Sequence, residues 1–412
     1  MSKVHPADEK TAQNRRILTE VGGKLRRTDT FLLVFLSLFL LVFGVLVYTL
    51  PKQDFSAEEN RSLQTLPAFS AQALVNGTWQ EQIRDFYSDQ FPLRRTFLML
   101  HSSTELALLR QESDDVLLCR DGYLVKRLEY TEADYAAIEK NLADLSAFFE
   151  KMEQSGRTTT LCVAPRAIDV LTDYLPPAYD TARAEAAWRN VYACAESLNP
   201  VLPIALLRSA ANTDATGLAG TDRVWYRTDH HYTTYGAYLT YTLLAERLGI
   251  TPAPLSDFTP ALATDSFLGT TAAAANLPLV RSDSIYLYRF AGDDAYLTEI
   301  VDTGRQFSGF YEWEALATHD PYAVFLGGNS GHVRVTLPGE ERPTLLVIKD
   351  SFAHSAVPFL ARHFNLEIVD TRYFRGSVTK LAEECGATGV LALIGLDSLT
   401  GEGMLARLSF GS

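Results

Sequence analysis

The chain has 412 residues, 47% of them hydrophobic and 21% charged, which is typical of a folded protein with a large core. Its net charge of −13 argues against nucleic acid as a partner, because phosphate binding needs clustered lysine and arginine. The four cysteines are widely spaced and form no C-x-x-C pair, so they do not predict a zinc site, and they assign no disulfide.

Residues 31–50, FLLVFLSLFLLVFGVLVYTL, are apolar apart from one serine and one threonine and are long enough to span a bilayer as a helix. The basic residues before this run are Arg15, Arg16, Lys24, Arg26 and Arg27. The positive-inside rule therefore predicts a cytoplasmic tail at residues 1–30 and an extracytoplasmic C-terminal bulk. A cleaved signal peptide is the alternative, but the run is longer than a usual h-region and no small-x-small pattern follows. We predict an uncleaved, single-pass anchor in the cell membrane.

Residues 51–115 predict a stalk followed by a helical segment. Trp79, Ile83, Phe86 and Tyr87 recur at helical spacing, and Pro92 opens a second amphipathic run. Two helices that pack on a core explain these aromatic side chains.

From residue 116 to 412 the pattern alternates between short apolar strands and helices. The predicted strand segments are a hairpin at 116–125 around Asp121-Gly122, and single strands in 158–165, 201–207, 343–352, 366–370 and 390–396. The predicted helices lie in 135–156, 185–198, 233–249, 354–364 and 377–386. This alternation predicts an α/β domain with a mostly parallel sheet flanked by helices. Residues 252–320 break the alternation and are interpreted as an insertion near the site.

The segment LLVIKDSFAHS predicts a buried strand that delivers Lys349, Asp350 and Ser351 into a turn before a helix. A serine there has backbone N–H groups beside it that can stabilise an oxyanion. A helix N-cap is the alternative role for the same serine.

The segment RTDHHYTTYGAY contains Asp229 and His231 two residues apart, so in an extended strand their side chains point to the same side. The aspartate can then orient the histidine as the general base for a serine nucleophile. His230 would point to the opposite face in a structural role. A metal site is disfavoured, because adjacent histidines rarely bind one ion and no H-E-x-x-H arrangement is present.

Two loops add candidate substrate contacts. FLGGNSGH offers backbone N–H groups near Gly328 and the side-chain amide of Asn329 for an oxyanion hole, although a simple tight turn also explains its glycines. VDTRYFRG follows a predicted strand and places Arg372 and Tyr373 near the same pocket. An ion-pair or surface role for Arg372 is the alternative.

The segments YRTDHHYT, FLGGN, IKDSFAHSAVPFL and VDTRY together resemble the DHHW family of bacterial cell-envelope proteins, which is related to the alginate O-acetyltransferase-like proteins. The resemblance implies an SGNH-hydrolase-like, flavodoxin-like fold. It implies Ser351 as nucleophile, His231 as base and Asp229 as its orienting partner. It also implies four oxyanion or substrate candidates, Gly328, Asn329, Arg372 and Tyr373.

The sequence departs from the family pattern at two positions. Tyr232 replaces the tryptophan of the family name, and Lys349 replaces the glycine of the esterase motif. Such a lysine either attracts an anionic substrate or points to solvent.

The resemblance implies an O-acetyltransferase that acts on a cell-surface polysaccharide through an acyl-serine intermediate, with no cofactor and no metal. A membrane acyltransferase would deliver the acetyl group across the bilayer. A carbohydrate O-acetylesterase with the same triad and a non-catalytic glycan-binding or assembly protein are the alternatives.

Overall fold

The computed structural model describes residues 6–56, 61–127, 129–212, 223–401 and 403–409. Contacts divide these residues into two units, one with residues 6–56 and 61–98 and the other from Met99 onward. The predicted domain division at residues 115 and 116 stays a prediction.

The first unit is mainly helical. Its elements are α1 (Pro6–Thr49), β1 (Phe55–Ser56), β2 (Arg61–Ser62), α2 (Ala71–Val75), α3 (Thr78–Asp89) and the first turns of α4 (Arg94–Ala107). Within α1, an 18-residue window of Thr28–Thr49 has a mean hydropathy of 2.9 with 6% of it buried, so the length and composition fit a membrane span. The prediction of an apolar helix before the α/β region is confirmed.

The second unit contains the remaining helices and strands. The helices are α5 (Glu132–Gln154), α6 (Ala167–Val170), α7 (Ala182–Ala195), α8 (Ile204–Asn212), α9 (Thr234–Arg247), α10 (Thr270–Ala275), α11 (Val357–Ala361) and α12 (Val378–Glu384). The strands are β3 (Glu112–Ser113), β4 (Val116–Leu118), β5 (Leu124–Lys126), β6 (Thr158–Ala164), β7 (Thr259–Phe267), β8 (Asp283–Arg289), β9 (Leu297–Ile300), β10 (Arg305–Ser308), β11 (His332–Thr336), β12 (Thr344–Lys349), β13 (Asn365–Val369) and β14 (Ala387–Gly395).

The main sheet has seven strands in the order β10-β9-β11-β13-β12-β14-β6. The four strands β13, β12, β14 and β6 are parallel, and β11, β9 and β10 extend them through antiparallel pairings. The predicted α/β class with helices flanking a parallel strand set is confirmed, and the complete sheet is mixed. Two of the antiparallel strands, β9 and β10, come from the region interpreted as an insertion.

The parallel strands are buried on both faces, which explains their continuous apolar sequence. In β12, Leu345 and Val347 belong to the core beneath α9 and α11, whereas Leu346 and Ile348 belong to the core beneath α5, α7 and α12. Because neighbouring side chains alternate between two dry cores, the register of β12 is strongly specified. The ends of this strand are therefore held in fixed positions.

One predicted strand is wrong. The segment 201–207 contributes only an isolated bridge from Val201 to Cys162 and then enters helix α8 at Ile204. Pro203 lacks an N–H for a ladder and has the fixed φ that suits a helix start. The apolar run was too short to distinguish a strand from a buried helix.

Candidate active site

The carboxyl ends of the parallel strands carry most of the charged side chains discussed below. Asp350 and Ser351 follow β12, Asp370 follows β13, Asp397 follows β14 and Arg166 follows β6. In open α/β sheets this edge is where ligands bind. The site is thus built on strands whose register is fixed by the core.

Ser351 begins the 3₁₀ turn Ser351–Ala356, but it is not the helix cap. The cap is Asp350, whose Oδ1 accepts a hydrogen bond of 2.9 Å from Phe352 N and whose Oδ2 accepts bonds from Gly395 N at 2.7 Å and Ser398 Oγ at 2.6 Å. The capping alternative for Ser351 is therefore wrong. The hydroxyl instead lies 2.7 Å from Nε2 of His231.

The segment that carries Asp229 and His231 is a tight loop, closed by a bridge between Trp225 and Tyr232. Asp229 Oδ1 accepts hydrogen bonds from His231 N at 3.0 Å and from His231 Nδ1 at 2.5 Å. The two side chains meet as predicted, but through an aspartate turn and not through the pleat of an extended strand. A continuous chain of hydrogen bonds runs from the carboxylate through the imidazole to the Ser351 hydroxyl.

The second oxygen of Asp229 is held by Thr270, at the start of α10. Thr270 N and Oγ1 donate to Oδ2 at 2.9 and 3.1 Å. The preceding residue is Gly269, where an added Cβ would lie 2.3 Å from Asp229 Oδ2. Only a glycine permits this approach of the backbone to the carboxylate.

The charge of Asp229 is stabilised despite its burial. Burial alone would raise the pKa of this carboxyl, but the imidazoles of His230 and His231 and the Thr270 N–H lower it below its usual range. An ionised Asp229 keeps the proton of His231 on Nδ1, so that Nε2 can accept a proton from Ser351.

Aromatic packing fixes the plane of the His231 ring. Tyr322 stacks on it with a centroid distance of 4.1 Å and an interplanar angle of 4°, and Phe352 meets it edge-on at 5.1 Å. The Tyr322 hydroxyl also lies 3.5 Å from the Ser351 carbonyl oxygen. These contacts leave the imidazole little rotational freedom.

The prediction that His230 points to the opposite face, made for an extended strand, is wrong. Its ring centroid is 3.8 Å from that of His231, and its Nδ1 lies 2.6 Å from Thr270 Oγ1. The tight loop turns both rings to one side. With 43% of its side chain exposed, His230 faces an open part of the site.

Asp229, His230 and His231 each have a potential ligand atom within 4.8 Å of the other two, a spacing that a metal site would also need. However, both ring nitrogens of His231 already take part in hydrogen bonds, to Asp229 and to Ser351. The arrangement fits proton transfer between these groups better than metal ligation.

Lys349 does not point to solvent, so that alternative is wrong. Its side chain is 1% exposed, and its Nζ lies 2.6 Å from His354 Nε2 and 3.3 Å from Asp370 Oδ2. Burial lowers the pKa of Lys349, and the nearby Asp370 carboxylate partly offsets this by raising it. Because β12 alternates between two buried faces, a side chain at its end enters the interior.

Arg372 forms an ion pair, which was the alternative to its role as a pocket residue. Its Nε and Nη2 donate to the two oxygens of Asp370 at 2.9 and 2.7 Å. Tyr373 lies beside it, with its ring centroid 5.4 Å from the guanidinium carbon and its side chain exposed. Asp370 thus joins Arg372 to Lys349 behind the serine turn.

The FLGGN loop has the geometry of a tight turn. Leu326, Gly327 and Gly328 have φ of 61°, 74° and 87°, and Gly328 N donates to Phe325 O at 3.3 Å. The Gly328 N–H therefore closes the loop. Asn329 is exposed, and the described hydrogen bonds join neither residue to Ser351.

A cavity of about 280 Å³ opens beside His230 and Phe352. Its polar lining includes Lys126, Arg166 and Asp397, and the rest is mainly alanine, isoleucine and threonine. Arg166 is neutralised by Asp169 at 2.7 Å. This mixed apolar and polar cavity offers room for a ligand next to the Asp229–His231–Ser351 chain.

The sequence analysis missed Thr270, Tyr322 and Arg166. Arg166 carried a usable signal, because it directly follows a buried strand at the ligand-binding edge. Thr270 and Tyr322 had no such signal, since neither belongs to a helix or strand predicted from the sequence and each contacts a residue 41 or more positions away.

Comparisons with known proteins agree with this architecture. Residues 216–369 match the family model of the DHHW protein, and residues 116–279 match that of the SGNH hydrolase-like domain of acetyltransferase AlgX. The chain is similar to DHHW proteins and to the SGNH hydrolase-like acetyltransferase domain. The resemblance stated from the sequence is confirmed.

Solved structures share the fold. A DHHW family protein from Eubacterium siraeum superimposes with a TM-score of 0.58 at 21% identity, over 73% of this chain and 98% of that chain. Bacillus cereus PatB1, solved with a sulfonyl adduct, gives 0.54 at 18% identity, over 72% of this chain and 100% of that chain. The predicted SGNH-like fold is confirmed.

Curated relatives cover a smaller part. The probable alginate O-acetylase AlgJ of Pseudomonas putida is 25% identical over 186 residues, 45% of this chain and 47% of that protein. The probable alginate O-acetylase AlgJ of Pseudomonas aeruginosa is 25% identical over 194 residues, which are 46% of this chain and 46% of that protein. The chain spans about half the length of the curated relatives it matches.

Proposed function

We propose that this protein is an extracytoplasmic O-acetyltransferase that acts on a cell-surface polysaccharide, with Ser351 as nucleophile, His231 as general base and Asp229 as orienting carboxylate. The single observation that carries the proposal is the hydrogen-bonded chain from Asp229 Oδ1 to His231 Nδ1, 2.5 Å, and from His231 Nε2 to Ser351 Oγ, 2.7 Å. The similarity to proteins named alginate O-acetylases supports the choice of acetyl transfer.

In the first half-reaction, Ser351 Oγ attacks the acetyl carbonyl carbon as its proton passes to His231 Nε2. The bond from that carbon to the leaving-group oxygen then breaks, and His231 returns the proton to this oxygen. The acetyl-serine that results is attacked by a sugar hydroxyl, which gives its proton to His231. Ser351 leaves with that proton, and the ester bond has moved to the sugar.

The developing imidazolium is stabilised by the ionised Asp229 and held in plane by Tyr322. For the oxyanion, we propose the N–H of Ser351 itself together with the Asn329 amide, because the next N–H groups are already bonded. Phe352 N donates to Asp350 Oδ1 at 2.9 Å, and Ala353 N to Asp350 O at 3.3 Å.

We also propose that α1 is an uncleaved anchor, with the basic residues before it in the cytoplasm and the catalytic unit outside. A membrane acyltransferase would then supply the acetyl group. The apolar residues of α1 within Thr28–Thr49 support the anchor. Protease added to spheroplasts should digest the chain after residue 50 and spare its N-terminal end; protection of the C-terminal unit would contradict this orientation.

The decisive experiment treats the full chain in detergent with an activated acetyl ester and follows Ser351 by mass spectrometry. We expect acetylation of Ser351 in the wild type and none in Ser351→Ala. Ser355→Ala, which alters a buried serine in the same turn, is the matched control and should still be acetylated.

An added oligosaccharide separates the two enzymatic alternatives. Transfer predicts that the acceptor accelerates loss of the acetyl group from Ser351 and becomes acetylated itself. An esterase would lose the group to water at the same rate with or without acceptor. If neither the acetyl ester nor a sulfonyl fluoride modifies Ser351, both enzymatic proposals fail and the glycan-binding alternative is favoured.

A further inference from the structure

A second cavity, of about 190 Å³, is lined in part by the residues that directly precede the Asp229 loop in the sequence. It is lined by residues 223–227, by the start of α9 and by residues 281–288. Three arginines line it, Arg223, Arg227 and Arg281, against a single carboxylate, Asp283. Such an excess of positive charge contrasts with the net charge of −13 of the whole chain.

Arg227 is buried without adequate partners. Its side chain is 8% exposed, its nearest carboxylate oxygen is Asp283 Oδ1 at 4.0 Å from Nη1, and its Nε has no hydrogen-bond partner. A buried guanidinium normally forms several hydrogen bonds, because removing its charge from water is costly unless partners replace the hydration. The described residues do not supply these bonds.

Asp283 does not complete the hydrogen bonds of Arg227, because Thr228 engages one of its carboxylate oxygens and the other lies 4.0 Å from Arg227 Nη1. Thr228 N and Oγ1 both donate to Asp283 Oδ2, at 2.8 and 2.7 Å. Burial, and after it the charges of Arg223 and Arg281, lower the pKa of Arg227, as expected where cations line one cavity. An anion between them would relieve both the repulsion and the missing hydrogen bonds.

We propose that this cavity is a binding site for a phosphate or carboxylate group, held chiefly by Arg227 with Arg223 and Arg281. The planar guanidinium fork matches the paired oxygens of both groups. A volume near 190 Å³ is smaller than an ordinary ligand pocket, so it suits one charged group and not a whole glycan. Outside the cell such groups occur as phosphodiesters of a polymer or as carboxylates of acidic sugars.

The site is directly connected to the proposed catalytic loop. Arg227, Thr228 and Asp229 are consecutive, and Thr228 is tied to the carboxylate that lines the cavity. A bound anion would hold this arm of the loop in place. The binding proposal itself does not depend on acetyl transfer, so its test is a binding measurement.

The test is calorimetric titration of the full chain in detergent, at matched ionic strength, with inorganic phosphate, glucuronate and glucose. We expect saturable binding of at least one anion and none of glucose. Binding of phosphate alone identifies a phosphoryl group, and binding of glucuronate alone identifies a carboxylate. Failure of both anions to bind would overturn the proposal.

Three variants locate the binding. Arg281→Gln, at an exposed position, should weaken anion affinity at least tenfold, whereas Arg189→Gln, on the exposed surface of α7, should leave it unchanged. Arg227→Met should abolish binding yet raise the melting temperature without anion, because it removes an unpaired buried charge. If Arg227 had a purely structural role, the same replacement would lower the melting temperature. Unchanged affinity in Arg281→Gln would refute the site even if Arg227→Met failed to fold.

Discussion

Replacing Asp229 by asparagine tests the proposed triad most directly, because the side chain keeps its shape and loses its charge. All four donors around this carboxylate point at it: His231 N and Nδ1 at Oδ1, and Thr270 N and Oγ1 at Oδ2. Asparagine offers one acceptor oxygen and one NH₂ donor. Either orientation of the amide therefore sets a donor against a donor.

The two orientations have different consequences. If the NH₂ group faces Thr270, the backbone N–H of Thr270 loses its acceptor, at a cost of about 1–3 kcal/mol. If the NH₂ group faces His231, the ring must carry its proton on Nε2, and this tautomer cannot accept the Ser351 proton. A change of tautomer lowers kcat about 10⁴-fold in Ser-His-Asp enzymes, equivalent to about 5.5 kcal/mol.

The assay is the rate of Ser351 acetylation by an activated ester, measured beside the melting temperature of the same preparation. We expect Asp229→Asn to reduce the rate by about 10³- to 10⁴-fold while the protein stays folded. Asp293→Asn is the matched control, because Asp293 is a buried carboxylate paired with Arg289 and has no contact with the triad. A rate within tenfold of wild type in Asp229→Asn would refute the assigned role of the carboxylate.

Three further predictions follow from the site. Gly269→Ala places a Cβ 2.3 Å from Asp229 Oδ2, so acetylation should fall about 100-fold with the fold retained, and wild-type kinetics would contradict the close approach. Tyr322→Leu should reduce the rate about tenfold and Tyr322→Phe hardly at all, because ring stacking and not the hydroxyl orients the base; equal losses would reverse that assignment. A chelator should leave acetylation unchanged, and a loss restored by added zinc would establish a metal site instead.

Protonation of His354 should make stability depend on pH. Burial and the neighbouring Lys349 charge hold the pKa of His354 well below its usual value. The unfolded chain therefore binds one more proton below about pH 6.5, and the free energy of unfolding should fall there by up to about 1.4 kcal/mol per pH unit. Thermal melts of wild type and His354→Gln from pH 5 to 8 check this; equal slopes would show that His354 is protonated in the folded state.

The candidate site residues were predicted from the sequence on two separate grounds. Ser351 was recognised because a continuously apolar strand ends two residues before it, and the carboxyl ends of parallel strands form ligand sites. Asp229 and His231 were recognised by their spacing. The contact between them arises differently, through the turn in which Asp229 Oδ1 accepts from His231 N, and not from the extended conformation that was predicted.

His230 and Lys349 show where local pattern was insufficient. The direction of His230 was taken from strand alternation, and the loop at residues 227–231 removes that alternation. Lys349 was expected to attract an anionic substrate or to point to solvent, and lysine is rarely buried. Its burial depends on Asp370 and His354, and Asp370 lies 21 residues away, so no local window contains this pairing.

The positioning residues had the weakest sequence signals, and a physical reason accounts for this. Asp229 needs hydrogen-bond donors, which Thr270 provides from the start of α10. His231 needs a flat surface, which Tyr322 provides from a short 3₁₀ helix. Many residue types can fill such supporting roles if the backbone brings them close, so their identity is weakly constrained by local sequence. Gly269 is the exception, because any side chain there would occupy the space of the Asp229 carboxylate. Gly269 is thus better evidence for the positioning contact than Thr270 itself, and Gly269→Ala tests this inference without removing a polar group.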